Sequence, residues 1–379
     1  MRVAVPREIV AGEKRVALVP EVIPHMVKLG HEVAIQSGAG IAAGFPDEAY
    51  SAAGATIVPE PSTLYATAEL VLKVQRPTAE EIAMLGSGTT LIGLLQPAAD
   101  PSFFGDVAKR GVTACSMELV PRTTRAQMMD ALSSQSTVAG YKAVLIAANA
   151  LQKFFPMLMT AAGTVRPARV LVIGAGVAGL QAIATARRIG AVVEAFDTRP
   201  VVKEQVQSLG ATFVELELGS SDTQDAGGYA RELAEEHIRK EKELIHDRAK
   251  NADVVITTAL VPGRRAPLLV MAETVEAMKP GSVIVDLAGE QGGNCELTEP
   301  GATVVRHGVQ IISPMNISSD LAFHASQMYA KNIAALVALL TPEGSLKLDT
   351  NDDIIDAVCV TADGEIRNAA IRQRLESAS

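Results

Sequence analysis

The sequence predicts an α/β protein with two parallel-sheet, Rossmann-like domains joined by long helices, the first domain being discontinuous in the chain. Short apolar strands alternate with helical stretches along most of the 379 residues, a pattern that favours parallel sheets covered on both faces. Apolar residues make up 48% and aromatic residues only 3%, with no Trp, so both cores must be built from small aliphatic side chains. At roughly 150 residues per domain, the length allows about two domains.

The first domain contains six short apolar strands with helical stretches between several of them. The strands are RVAVP, HEVAIQ, TIVPE, LVLKVQ, TTLIGLLQ and VTACSMEL. A long helix near residues 127–155 leads away from them, and a second long helix follows residue 316. The closing segment IIDAVCVTADGEI is interpreted as a hairpin. We assign residues 1–130 and 325–379 to this domain, because two long crossing helices are the simplest way for a chain to leave a domain and return to it.

Residues 131–324 form the second predicted domain, another series of short strands and helices. Its strands are VLVIG, VVEAFD, TFVEL, DVVITTAL, SVIVDLAG and VQIISP. Residues 217–252 are its most polar part. We expect a mobile loop at the start of that stretch and an exposed, charged helix in its second half.

Composition excludes several classes of partner. The chain has 34 basic and 43 acidic residues, a net charge of −9, and no basic tract, which argues against nucleic acid and anionic membranes. The stretch MRVAVPREIVAGEKR has no apolar core of signal-peptide length, and nowhere do eighteen uncharged apolar residues occur in a row, so direct membrane insertion is not expected. Three distant cysteines, Cys115, Cys295 and Cys359, suggest neither disulfides nor zinc and indicate a reducing compartment. No histidine has metal-ligand spacing, and His324 is expected to be a packed or solvated helix residue.

A glycine-rich turn provides the candidate nucleotide site. Gly174, Gly176 and Gly179 follow the strand VLVIG directly and open a helix, as a dinucleotide turn requires for its tight bend, its approach to pyrophosphate and its close packing. The next strand ends in Asp197, where a carboxylate would bind the ribose hydroxyls and repel a 2′-phosphate, which selects NAD(H). Arg199 could weaken that selection. The alternative is a glycine turn in a nucleotide-free sheet, with Asp197 as a helix cap.

Further nucleotide contacts are expected around the same sheet edge. They are Val177, Ala178, Thr198, Thr258, Ala259, Leu260, Leu287 and Glu290. Gly292 and Gly293 could admit the nucleotide or form a plain turn.

The stretch PRTTRAQMMDALSSQS sets Arg122, Gln127, Asp130 and Ser133 at spacings of five, three and three. Together with TAAGTVRPARVLVIGAGVAGLQAIATARRIGA, AGGYA, ITTALVPGRRAP and DLAGEQGGNC, it resembles the NAD(H)-binding component, domain I, of proton-translocating nicotinamide nucleotide transhydrogenase, over essentially the whole chain. Alanine dehydrogenases are that family's nearest relatives and share both domains.

The resemblance implies direct hydride transfer, of the Re/Si-specific type, between NADH on this chain and NADP⁺ on a partner, coupled to proton translocation. The implied partners are NADP(H)-binding and membrane-spanning subunits, together with a second copy in a homodimer. The implied location is cytoplasmic, with attachment to the inner membrane through those partners. The chain would be either a separate subunit or a piece of a longer one.

Residue roles also follow from the resemblance. Arg122 and Asp130 would form a pair and, with Ser133, orient the carboxamide and ribose of the nicotinamide end, while Gln127 would reach toward the NADP(H) site. These residue types suit the task, because the carboxamide offers both a donor and an acceptor. Hydride transfer also needs the reacting carbons held roughly 3 to 3.5 Å apart. The alternative for this loop is a capped helix start with a contact between Gln127 and Asp130.

The stretch DAGGYARELAEE matches the family's mobile loop. Tyr229 would close over bound nucleotide, and Gly227 and Gly228 would provide hinge freedom. Without the resemblance, Tyr229 is equally well interpreted as an exposed helix residue.

The main alternative is an alanine dehydrogenase, whose reaction also needs a proton-transfer group and a clamp for the substrate carboxylate. Arg15 and Lys73 match the clamp positions, although inherited ion pairs would explain them too. Gln96 stands where the dehydrogenase histidine is expected, and Glu290 where an Asp is expected. A third alternative is a regulatory NAD(H)-binding module without chemistry, which would not need a loop that presents the nicotinamide outward.

Overall fold

The computed structural model describes residues 1–216, 228–261 and 264–378, which divide into two compact units. The first unit comprises residues 1–135 and 318–379, and the second comprises residues 136–317. The sequence placed these divisions at 130/131 and 324/325. The predicted α/β class is confirmed.

The first unit contains an eight-stranded sheet and eight α-helices that lie wholly within its described residues. Its elements are β1 (Arg2–Val5), α1 (Ile23–Lys28), β2 (Glu32–Gln36), α2 (Asp47–Ala52), β3 (Thr56–Val58), α3 (Pro61–Ala66), β4 (Leu70–Leu72), α4 (Ala79–Met84), β5 (Thr90–Gly93), α5 (Ser102–Lys109), β6 (Thr113–Ser116), then α11 (Ala322–Leu340), α12 (Asp353–Val358), β16 (Cys359–Ala362), β17 (Glu365–Ile366) and α13 (Ala369–Ala378). Helix α6 (Ala131–Ala150) begins in this unit and ends in the next.

The strand order of this sheet is β17-β16-β6-β5-β4-β1-β2-β3. The six strands from β6 to β3 are parallel, and every residue of β4, β5 and β6 is buried. Burial on both faces explains why β4 is a continuous apolar run and why none of the three strands alternates between apolar and charged residues. At the other edge, β16 runs antiparallel to β6 and pairs with β17 in a hairpin.

The prediction for IIDAVCVTADGEI was partly wrong. Its second half forms the β16–β17 hairpin, but Ile354–Val358 belongs to helix α12. Asp352 caps that helix by accepting the N–H groups of Ile354 and Ile355. This local cap, with Ile354, Ile355 and Val358 buried on one helix face, outweighs the β propensity of the isoleucines.

The second unit contains a seven-stranded sheet and a separate two-stranded hairpin. Its elements are β7 (Leu158–Thr160), β8 (Gly163–Val165), β9 (Arg169–Ile173), α7 (Val177–Arg188), β10 (Val192–Phe196), α8 (Lys203–Ser208), β11 (Thr212–Val214), α9 (Gly228–Ala249), β12 (Val254–Thr257), α10 (Ala272–Ala277), β13 (Val283–Asp286), β14 (Thr303–Arg306) and β15 (Val309–Ile312).

The strand order of the seven-stranded sheet is β11-β10-β9-β12-β13-β15-β14. All pairs are parallel except β14 with β15. The chain moves outward from β9 to one edge and then returns to β12 on the other side of β9, so the order reverses there. A crevice at such a reversal is where open parallel sheets bind ligands. The sequence did not predict β14 or the β7–β8 hairpin.

The long helices are shorter than expected. Helix α6 begins at Ala131 rather than near residue 127, and helix α11 spans Ala322–Leu340. The predicted charged helix is α9, whereas the expected loop at 217–227 lies outside the described residues. No helix within the described ranges is long and apolar enough to cross a membrane.

Candidate nucleotide site and the 122–133 loop

Two glycines of the turn after β9 are required by the protein's own packing. Gly174 has a φ of +96°, which favours glycine, and a Cβ there would lie 2.7 Å from Thr258 Oγ1. A Cβ on Gly179 would lie 1.8 Å from the carbonyl oxygen of Gly174. Helix α7 therefore reaches its position against the turn only with glycine at residue 179.

Gly176 differs, because a Cβ at this residue would meet nothing within 4 Å. It precedes helix α7 in extended conformation and provides no side-chain cap for the helix N-terminus. Val177 at the first helical position is exposed. Open space in front of uncapped backbone N–H groups fits a pyrophosphate, which those groups and the helix dipole would bind.

Asp197, at the end of β10, is nearly buried and holds the turn in place. One oxygen, Oδ2, accepts the N–H of Ala175 at 2.7 Å. Arg199 forms a two-pronged ion pair with it, Nε to Oδ1 and Nη2 to Oδ2, both at 2.9 Å. Burial opposes the charged form, but these bonds prevail and hold the pKa of Asp197 below its ordinary value. Thr198 is exposed beside the pair.

Residues after β12 complete this edge of the sheet. Thr258 donates its hydroxyl to the carbonyl of Gly174 at 3.0 Å, so it closes the glycine turn. Ala259 is held through its N–H and C=O by the side chain of Asn294, at 3.0 and 2.9 Å. Leu260 is 47% exposed.

Asp286, at the end of β13, organises the next turn and was not predicted. Its carboxylate accepts five hydrogen bonds, from the hydroxyls of Thr257 and Thr298 and the N–H groups of Ala288, Asn294 and Cys295. The sequence signal that could have indicated Asp286 is its position at the last residue of a buried strand, at the sheet edge where ligands bind.

Gly293 lies against the same carboxylate, and a Cβ there would approach Asp286 Oδ2 to 2.9 Å. Gly292 and Gly293 both have positive φ, so these glycines form a tight turn. Leu287 is half-buried, and Glu290 is exposed and accepts the N–H of Asn316 at 2.8 Å. Tyr229 lies in the first turn of α9, with its side chain outside the described part of the chain.

The four candidate residues of the 122–133 loop all belong to the first unit, whereas the glycine turn and Asp197 belong to the second. Asp130 caps helix α6: its Oδ1 accepts the N–H of Ser133 at 2.9 Å, and its Oδ2 accepts the Ser133 hydroxyl at 2.6 Å. The expected pair between Arg122 and Asp130 is not formed, and both carboxylate oxygens bond Ser133 instead. Arg122 and Gln127 are exposed, and Arg122 forms no hydrogen bond or ion pair with any residue that the structure describes.

The two cations that the sequence matched to an alanine dehydrogenase clamp, Arg15 and Lys73, are buried in ion pairs within the first unit. Arg15 bonds Glu13, with Nη2 to Oε2 at 2.6 Å, and also the side chain of Gln135. Lys73 is fully buried, with Nζ 2.6 Å from Glu81 Oε1 and 3.3 Å from Glu8 Oε2.

Burial raises the pKa of Glu8 to about 7 despite Lys73. At Glu13, burial is outweighed by the bonds from Arg15, so its pKa falls to about 2.

Two other expectations concern single residues, and a third concerns metal binding. Gln96 is exposed, with its backbone N–H donated to Glu118. His324 is exposed, with its ring edge-on to Phe323. No group of residues suited to bind a metal occurs among the described residues.

Comparison with known proteins matches both units. The family models "Alanine dehydrogenase/PNT, N-terminal domain" and "Alanine dehydrogenase/PNT, C-terminal domain" match residues 4–139 and 143–369. An NAD(P) transhydrogenase subunit alpha segment of Rhodospirillum rubrum is 48% identical over 382 residues, covering 98% of this chain and 99% of that protein. An alanine dehydrogenase of Halomonas elongata is 33% identical, covering 98% and 96%. The solved transhydrogenase of Sinorhizobium meliloti superposes with a TM-score of 0.89 at 42% identity, covering 97% and 100%.

Proposed function

The chain belongs to the alanine dehydrogenase/PNT family, and on that premise we propose that it is the NAD(H)-binding component of a proton-translocating NAD(P) transhydrogenase. It passes hydride directly from NADH to NADP⁺ held by a partner subunit. Proton translocation takes place in a membrane-spanning partner, and this chain, as a homodimer, is attached to the cytoplasmic side of the inner membrane through those partners. The likeness to a transhydrogenase alpha-subunit segment along nearly its whole length supports this proposal.

The second unit binds the nucleotide. Gly176 leaves room for the pyrophosphate at the N-terminus of α7, while Gly174 and Gly179 keep the turn and the helix in place. Asp197 binds the adenosine ribose hydroxyls by exchanging the bonds that it makes to Arg199. NADH supplies the hydride when it is bound.

The 122–133 loop presents the nicotinamide end to the partner. Arg122 is exposed and has no partner among the described residues, so it is available to bind the carboxamide or ribose without first breaking an ion pair. Asp130 and Ser133 form a fixed cap whose outer lone pairs can accept the N–H groups of the carboxamide and so orient it. Gln127 is exposed and reaches toward the NADP(H) site.

The observation that carries the choice over alanine dehydrogenase is Gln96. Oxidation of an amine moves a proton as well as a hydride, so it needs a general acid or base. Nicotinamide-to-nicotinamide transfer needs neither, and the side-chain amide of Gln96 cannot serve as one. Arg15 and Lys73 agree with this choice, because both are already neutralised by buried carboxylates. A clamp for a substrate carboxylate would have to break those pairs.

The test uses NADH deuterated at C4, labelled separately on each ring face. The purified chain is mixed either with an NADP-binding transhydrogenase domain or with pyruvate and ammonium. We expect label in NADPH only in the first mixture and from only one ring face. Label in alanine would overturn the proposal, and would mean that Arg15 and Lys73 form a working substrate site. NADH binding without transfer in either mixture would favour the regulatory module.

Arg122 offers a sharper test of the loop. Arg122→Ala should slow hydride transfer more than it weakens NADH binding, because the guanidinium acts on the orientation of the ring. Arg122→Lys keeps the charge but not the planar fork, and it should recover only some of the rate. Equal loss of rate and affinity would mean that Arg122 only holds the nucleotide.

A further inference from the structure

The tip of the 122–133 loop is held in one conformation by short-range turns. Met129 donates its N–H to the carbonyl of Ala126 at 2.8 Å, and Ala126 donates to that of Thr123 at 3.1 Å. Ala126 and Met129 are buried in the core of the first unit, while Gln127 and Met128 between them are exposed. The exposed tip is therefore carried by two buried residues.

Asn332 of helix α11 bonds the chain on both sides of Asp130. Its Nδ2 donates to the carbonyl of Met128 at 2.8 Å, and its Oδ1 accepts the hydroxyl of Ser134 at 2.6 Å. The residue is only 8% exposed. A buried amide with both groups bonded holds the carbonyl of Met128 and the hydroxyl of Ser134 at set positions, because its donor and its acceptor are not interchangeable.

Arg125 anchors the loop from the solvent side. Its guanidinium bonds both oxygens of Asp352, with Nη2 to Oδ1 at 2.8 Å, and also contacts Asp353. Asp352 is itself fixed, because it caps helix α12. Planar two-pronged pairing restrains direction as well as distance. The loop is thus tied to α11 on its buried side and to α12 on its exposed side.

From these contacts we propose that Asn332 is a positioning residue for hydride transfer, with Arg125 as a second anchor of the same loop. The inference rests on the proposed function. Neither residue touches the nucleotide in this proposal. They act through Arg122 and Gln127, whose backbone positions they fix. Hydride transfer depends on sub-ångström placement of the reacting carbons, so a loosened loop slows transfer while the nucleotide still binds.

The experiment compares the wild type with two loop-anchor substitutions and their controls. Asn332→Asp has nearly the same shape, keeps the acceptor for Ser134 and loses the donor to Met128. Asn251→Asp is the matched control, since Asn251 makes the same kind of bond, Nδ2 to the carbonyl of Asp247, at 3.1 Å on an exposed helix end. Arg125→Met removes the outer anchor, and Arg125→Lys retains its charge.

Each variant is assayed for single-turnover hydride transfer to NADP⁺ on the partner domain, for the Kd of NADH, and for its melting temperature. We expect Asn332→Asp to slow transfer about tenfold or more, with the Kd changed by less than about twofold. Asn251→Asp should match the wild type. Arg125→Met should slow transfer less than Asn332→Asp does, and Arg125→Lys should recover some of that loss.

The outcomes separate the two proposals. A wild-type chain that binds NADH but transfers no hydride overturns the proposed function, and this inference with it. An active wild type with unchanged transfer in Asn332→Asp overturns the inference alone. So does a loss of transfer that only follows the unfolded fraction, or a Kd that rises as much as the rate falls. If Asn332→Asp does not fold, the exposed Arg125 variants decide.

Discussion

The glycine turn allows a paired test in which two similar substitutions should have opposite effects. Gly176→Ala places a methyl group where nothing lies within 4 Å, and Gly179→Ala places one 1.8 Å from the carbonyl oxygen of Gly174. Neither residue has a positive φ, so backbone strain does not enter the comparison. The difference between the two variants is then purely one of space.

For Gly179→Ala, relief of the overlap requires helix α7 to move away from the turn. Overpacking of this kind costs about 1–3 kcal/mol, which outweighs the gain of up to about 1 kcal/mol from helix propensity. For a unit of this size, each kcal/mol lowers the melting temperature by roughly 2–4 °C. Gly176→Ala should leave the melting temperature within about 1–2 °C, since its folding free energy changes by less than about 0.5 kcal/mol.

For nucleotide binding we expect the opposite ranking, with Gly176→Ala more harmful than Gly179→Ala. The methyl group of Gly176→Ala occupies the space through which the pyrophosphate approaches, and loss of even one charged hydrogen bond costs about 1.5–3 kcal/mol. That corresponds to a rise in the Kd of NADH of roughly 10- to 150-fold. Calorimetric melting and NADH fluorescence titration of both variants provide the measurements. A stable Gly176→Ala variant with wild-type affinity would refute the assignment of this turn to the pyrophosphate.

Three further predictions concern carboxyl groups. Asp286→Asn loses the two or three hydrogen bonds accepted by the oxygen that becomes an amide nitrogen, and it should cost about 3–6 kcal/mol in chemical denaturation. A loss below about 1 kcal/mol, no larger than that of the exposed control Asp247→Asn, would contradict this. The pKa of Glu8 is raised from 4.5 to about 7, so the stability that it contributes is complete below pH 4.5 and is lost as pH rises through 7. Glu8→Gln should therefore show a smaller fall in melting temperature from about pH 5 to about pH 8, and an unchanged fall would remove Glu8 as its cause. Asp197→Asn should raise the Kd of NADH about tenfold and that of NADPH less; equal effects would mean that Asp197 does not distinguish the ribose 2′ position.

The sequence predicted those strands of the fold that a local apolar pattern marks. Buried parallel strands are continuous apolar runs, and β9, β12 and β13 were recognised for that reason. Strand β14 was missed because it is an exposed edge strand, with the pattern TVVR and no buried residue. Its β structure depends on pairing with β15, which a local pattern does not contain.

The same limit applies to the site. The glycine spacing predicts a turn because each glycine meets a steric or conformational requirement within a few residues of the chain. Asp286 and Asn294 organise the neighbouring turn through contacts between chain segments that come together only in the folded sheet. For the same reason, the sequence did not indicate that Gly140 has a packing role. It allows helix α6 to pack on α7, where a Cβ would lie 2.1 Å from the carbonyl oxygen of Ala178.

Asp130 shows why a motif can be recognised while its contacts are misassigned. A carboxylate three residues before a serine fits the family loop, and it is equally the pattern of a helix N-cap. The cap is formed within one turn and costs little chain entropy, whereas a pair with Arg122 must order a long, exposed side chain for a surface interaction of about 0–1 kcal/mol. The cap therefore prevails. Arg122 is therefore left exposed and uncommitted among the described residues, as its proposed role requires. It can meet a ligand without first losing a partner.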